Sequence, residues 1–75
     1  MDIIYTDYAE DSISDRNIDK GIIEDVLLNP YEIIEGDKNR KIAHKIIGNK
    51  LLRVIFEIGL KAYIVVTAYY TEPKR

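Results

Sequence analysis

Cationic and aromatic side chains gather in the second half of this 75-residue chain, at Arg40, Lys41, Lys45, Arg53, Tyr63, Tyr69 and Tyr70. Such cations hold phosphates, and tyrosine rings stack on unpaired bases. The fixed fork of donors on Arg53 suits the charge that builds on a phosphorane. Cutting RNA adds two proton transfers, one from the 2′-hydroxyl and one to the leaving oxygen, and a lysine, a tyrosine or His44 are the groups available to make them. These residue types nominate Arg53, Lys45 and Tyr69 as a catalytic group. They nominate Arg40, Lys41, Lys45, Arg53, Tyr63, Thr67 and Tyr70 as a surface for RNA or a protein partner. Each also has a plainer use, as an exposed strand residue or in cross-strand aromatic packing.

Other chemistries leave no trace. No glycine-rich loop precedes a lysine, and there is no Gly-x-Ser-x-Gly elbow. One histidine and no cysteine give no recognisable zinc cluster and no disulfide, so neither metal nor cofactor is expected. The acids are scattered along the first half and read as a solvated helical face. The absence of cysteine and of a signal-like start points to a cytoplasmic protein. The longest apolar stretch, Ala62 to Tyr70, falls well short of the ~20 residues that span a bilayer, so no membrane association is expected.

The mild net charge hides a split. Residues 1–37 carry two bases against eleven acids, a balance of −9, and residues 38–75 carry nine bases against two acids, a balance of +7. Such asymmetry fits a polyanionic or oppositely charged partner, and it fits equally well two halves that neutralise each other in the fold.

The elements that must position these residues follow from local signals. One domain, residues 1–75, is expected, with a single thin core, because a chain this short buries only about 60% of its unfolded surface. Asp7 and Glu10 are spaced as a capping box for a first helix ending near Arg16-Asn17. Asp19 caps a second, with Ile18 and Ile23 as its hydrophobic staple, and Asn29-Pro30 stops it. After Pro30 the period changes to that of strands, at Tyr31 to Glu35, Lys41 to Ile47, Leu51 to Ile58 and Ala62 to Tyr70. The fold class expected is α+β, with two N-terminal helices on one face of a four-stranded, mainly antiparallel sheet and an additional short strand at Asp2 to Tyr5.

Register decides which side chains face outward. Two-residue loops put His44 opposite Arg53 on a mixed face. Three-residue loops gather Ile42, His44, Ile46, Leu52, Val54, Phe56, Ile64, Val66 and Ala68 on one face, and Lys41, Lys45, Arg53, Glu57, Tyr63, Thr67 and Tyr69 on the other. The second register separates apolar from charged more cleanly and is the one expected, with His44 a core residue under the helices. The open face would then be basic and aromatic.

Several short motifs, in order, resemble the small domains of the RelE/ParE toxin clan. Tyr8-Ala9, Arg16-Asn17-Ile18 and Val26-Leu27-x-Asn29-Pro30 are similar to that clan's "HA-x-x-R-x-x-x-R-x-I … V-L-x-x-P" opening. Glu35 to Lys41, Leu52-Arg53-Val54 and Val65 to Tyr69 continue the likeness. The chain departs from the pattern at Tyr8, Ser12 and Tyr70, where the clan usually has a histidine or arginine. The resemblance implies a RelE-like fold and a toxin that acts on mRNA, as a metal-independent, ribosome-dependent endoribonuclease, neutralised by an antitoxin protein. The alternative is a non-catalytic module whose basic face binds antitoxin, RNA or gyrase. A third expectation is a domain that pairs with itself as a homodimer.

Overall fold

The computed structural model describes residues 2–73. Its elements are β1 (Asp2–Tyr5), α1 (Asp7–Asp15), α2 (Lys20–Leu28), β2 (Glu32–Glu35), β3 (Lys41–Ile47), β4 (Lys50–Ile58) and β5 (Ala62–Thr71). The α+β class is as expected, but the four-stranded sheet is corrected to a five-stranded mixed one, ordered β1-β5-β4-β3-β2. The leading strand is a full member of that sheet. It runs parallel to β5, from Asp2 opposite Ala62 to Tyr5 opposite Val65, while the other three pairings are antiparallel.

Local capping accounts for both helices. Thr6, rather than Asp7, caps α1, its hydroxyl accepting the Ala9 amide at 3.0 Å. Asp7 and Glu10 then lie in the first turn, where the helix dipole favours negative charge. The helix closes with Asn17 in the left-handed region, Asn17 N–H donating to Ser14 O and Ile18 N–H donating to Ile13 O. This is the Schellman arrangement, completed by Ile13 and Ile18 both being buried. Asp19 caps α2 as expected, accepting the Gly21 amide at 2.8 Å, and Ile18 and Ile23 are both buried as the staple requires.

Both helices cover one face of the sheet, α1 over β5 and α2 over β3 and β4. Between them lies one core, in which Ile23, Val26, Leu52, Val54, Phe56 and Val65 are the largest fully buried side chains. Tyr63 joins it edge-on to Phe56, with ring centroids 5.2 Å apart. A bulge interrupts β4 and β5: Ile55 faces Thr67 but Phe56 faces Val65, leaving Val66 as the extra residue. Beside it the Thr67 hydroxyl lies 3.0 Å from that of Ser12 and accepts from Arg16 Nη1 at 3.2 Å, while Arg16 also donates to Ala68 O at 2.9 Å. These bonds pin α1 to the bulge.

The expected register is overturned. Ile47 pairs with Lys50 across the two-residue turn Gly48-Asn49, and His44 stands opposite Arg53. Gly48 has φ 64°, and Asn49 keeps a negative φ, the combination a type II′ hairpin turn needs. The residues beneath the helices are therefore Ala43, Leu52, Val54, Phe56, Val65 and Ala68. Ile42, His44 and Ile46 fall on the open face instead, beside Arg53, which was expected there, while Lys41 and Lys45 turn to the helix side.

Truncating Phe56 to alanine empties the centre of a thin core and is expected to cost ~3–5 kcal/mol, read as a drop in the urea midpoint. A second test concerns Tyr5, whose hydroxyl donates to Glu24 at 3.3 Å. Burial, and then the Glu24 charge, push its pKa up to about 12. The raised value means that the folded state holds the proton more tightly than the unfolded state, so stability falls as pH climbs from about 10 to about 12. Tyr5→Phe is expected to flatten that part of a stability–pH curve.

Candidate functional site

The realised register aligns four chemically active side chains in one rung across the open face. Glu32 of β2 pairs with His44 of β3, His44 with Arg53 of β4, and Arg53 with Tyr69 of β5. Alternation along each strand puts all four on the side away from the helices. Apolar rungs flank this polar one, Ile34–Ile42–Ile55 on one side and Ile46–Leu51 on the other. A groove of about 530 Å³ runs over the rung, lined by Tyr31, Glu32, His44, Arg53, Ile46 and Leu51 among others.

Within the groove His44 Nε2 lies 3.1 Å from Glu32 Oε1. An ionised carboxylate only accepts, so the shared hydrogen is on Nε2. The imidazole side chain is 13% exposed and Glu32, at the rim, 55%. Tyr31 stacks on the imidazole with centroids 6.4 Å apart and planes 26° from parallel. The Arg53 guanidinium sits 5.9 Å from the centroid of the Tyr69 ring, a cation–π contact. Nδ1 of His44 and Nε of Arg53 are both buried without a hydrogen-bond partner. Among the described residues Arg53 has no carboxylate within ion-pair reach, although it is half-buried.

The remaining expected site residues are placed elsewhere. Arg40 is paired to Glu57 at 3.1 Å and Lys41 to Glu35. Lys45 lies on the helix side, where it donates to Asp25 of α2 at 2.8 Å. Tyr63 and Tyr70 pack against the core, and Thr67 is bonded to α1. The structure thus brings Arg53 and Tyr69 together and separates Lys45 from them. Glu32 and Tyr31 were not among the expected site residues, and His44 was assigned to the core. The signal that finds all three is the two-residue turn, because its register makes His44 a neighbour of Arg53.

With this geometry in view, the comparison with known families is brief. Residues 5–70 match the family described as a domain of unknown function, DUF4258, and the chain belongs to that family. No curated protein and no solved structure matches it. Among the described residues there is no cluster of three metal-ligating side chains, and no helix is long and apolar enough to cross a membrane.

The Lys45 ion pair yields a prediction. Asp25 is held below its ordinary pKa, chiefly by the hydrogen bond from Lys45. A depressed aspartate adds stability that is present above its unfolded pKa and is lost as pH falls through the folded value. Lys45→Ala is therefore expected to lower stability slightly at neutral pH, and less so in acid, while leaving ligand binding in the groove unchanged. Denaturation midpoints and RNA titrations of the variant measure the two effects.

Proposed function

We propose that the open-face groove is a phosphodiester site, and that the protein is a toxin-like domain acting on mRNA, cutting it without a metal. The observation carrying this reading is the Arg53 guanidinium, half-buried beside His44 and Tyr69 with no counter-ion among the described residues. Its Nε is buried without a partner and the residue lines the groove, so the other donors of its fork are the ones that face a phosphate oxyanion there. The resemblance to the RelE/ParE toxin clan, which spans most of the chain in order, supports the same activity.

In the reaction, Glu32 takes the 2′-hydroxyl proton while the His44 Nε2–H steadies the carboxylate. The 2′-oxygen bonds to phosphorus, Arg53 stabilises the charge on the phosphorane, and the 5′-oxygen leaves with a proton from the Tyr69 hydroxyl. Proton exchange with water then resets both groups. The products are a 2′,3′-cyclic phosphate and a 5′-hydroxyl end. Lys45 has no part in these steps, being turned toward α2.

A second reading is a non-catalytic module that docks an amphipathic segment of an antitoxin-like protein. The observation favouring it is the pair of apolar rungs beside the polar one, with Ile46 about half-exposed. The two readings separate on ribosomes programmed with a defined mRNA and mapped by primer extension. Cuts made by the wild type and reduced about 10²–10³-fold in Arg53→Ala, the scale of losing one charge-stabilising donor, are the expected result. A folded wild type that makes no cuts at high excess, yet forms a salt-sensitive protein complex, would establish the binding module instead.

A further inference from the structure

Tyr31 is the most conspicuous groove residue that the proposed reaction leaves without a task. The geometry points to it as a base-stacking platform, which makes the ligand of the groove a single-stranded nucleotide chain with one base on Tyr31 and the adjoining phosphate on Arg53. This inference rests on the phosphodiester reading of the groove and specifies what that phosphodiester belongs to.

Three observations carry it. The Tyr31 residue is 78% exposed, an unusual cost in exposed aromatic surface for a residue that also lines a groove. One side of its ring is backed by the His44 imidazole at 6.4 Å and 26°, so the stack already has one layer and the ring is steadied for another. Its backbone is fixed as well, since Tyr31 N–H donates to His44 O at 2.9 Å directly after Pro30. With its backbone fixed, only the side-chain torsions of Tyr31 have to settle when a flat ligand stacks on the ring.

The layout sets the ligand class. Tyr31 stacks on His44, and His44 is the direct cross-strand partner of Arg53, so platform and cation stand on either side of the imidazole residue. Base and phosphate of the same strand can occupy the two together. In a duplex the bases are already stacked on one another, and the ring of Tyr31 would meet only the backbone. Stacking reads the face of a base rather than its edge, so sequence preference is expected to be weak.

The test uses the full chain and a short 2′-O-methyl oligouridylate, which cannot be cut, alongside the same oligomer with abasic positions, its duplex, and inorganic phosphate, each titrated by NMR. Tyr31→Ala is expected to weaken oligouridylate binding about 5- to 150-fold, and Tyr31→Phe to preserve it. The abasic oligomer and phosphate should bind the wild type and Tyr31→Ala equally, and Arg53→Ala should weaken all of them. Unchanged oligouridylate binding in Tyr31→Ala, with loss in Arg53→Ala, overturns the stacking platform and leaves the anion site standing. Duplex bound as tightly as single strand overturns it also. Unchanged binding in Arg53→Ala, or no binding of oligomer or phosphate by the wild type, removes the phosphodiester reading and the platform with it.

Discussion

The turn at Gly48-Asn49 holds Ile47 opposite Lys50, and every other pairing between β3 and β4 follows from that one. A glycine at the first central position relieves the steric cost of a positive φ, so the hairpin closes with two residues rather than three. Because side chains alternate along a strand, a one-residue change in that loop would turn β3 over relative to β4. His44 would then go beneath the helices with Ile42 and Ile46, and the Glu32–His44–Arg53–Tyr69 rung would not exist. Core and groove are thus two consequences of one backbone constraint.

Electrostatics are arranged on that frame. The acidic first half and the basic second half meet in specific pairs, Asp25 with Lys45, Glu35 with Lys41, and Glu32 with His44. Exposed pairs of this kind contribute little to stability. Their effect here is subtractive: they remove Lys41 and Lys45 from the surface available to a polyanion and leave Arg53 as the cation of the groove. Within the groove, what is left of the chain's charge asymmetry is one guanidinium with an aromatic neighbour on β5.

Much of the fold was legible in the residues. The Asp19 cap, the Ile18–Ile23 staple, the stop at Asn29-Pro30 and all the main strands announce themselves through local chemistry. The register did not, because β3 and β4 carry large aliphatics on both faces: Ile42 and Ile46 are turned outward while Ala43 and Ile47 are turned inward. Sorting apolar from charged therefore favoured the wrong alignment. Lysine adds to the confusion, since Lys41 and Lys45 lie on the helix side with their ammonium groups reaching Glu35 of β2 and Asp25 of α2. Arg53 and Tyr69 are singled out by type alone, and the register sets them side by side. Tyr31 and Glu32 are not singled out in that way, because their significance comes only from standing beside His44 in space.

The pairing of β1 with β5 has a bearing on how the domain comes into being. Its first strand hydrogen-bonds only to its last, so the sheet edge at Asp2–Tyr5 has no partner until Ala62–Thr71 has been made and threaded beside β4. Thr6, which caps α1, also holds its place through β5, its amide donating to Val65 O and its hydroxyl to Val66 O. During vectorial synthesis the early helices consequently wait for β5, and the loop closure that joins β1 to it comes after the other strands have been made. A chain stopped before β5 would lack both the fourth member of the rung and the strand that anchors its own beginning, so partial translation products would have neither a closed sheet nor a complete groove.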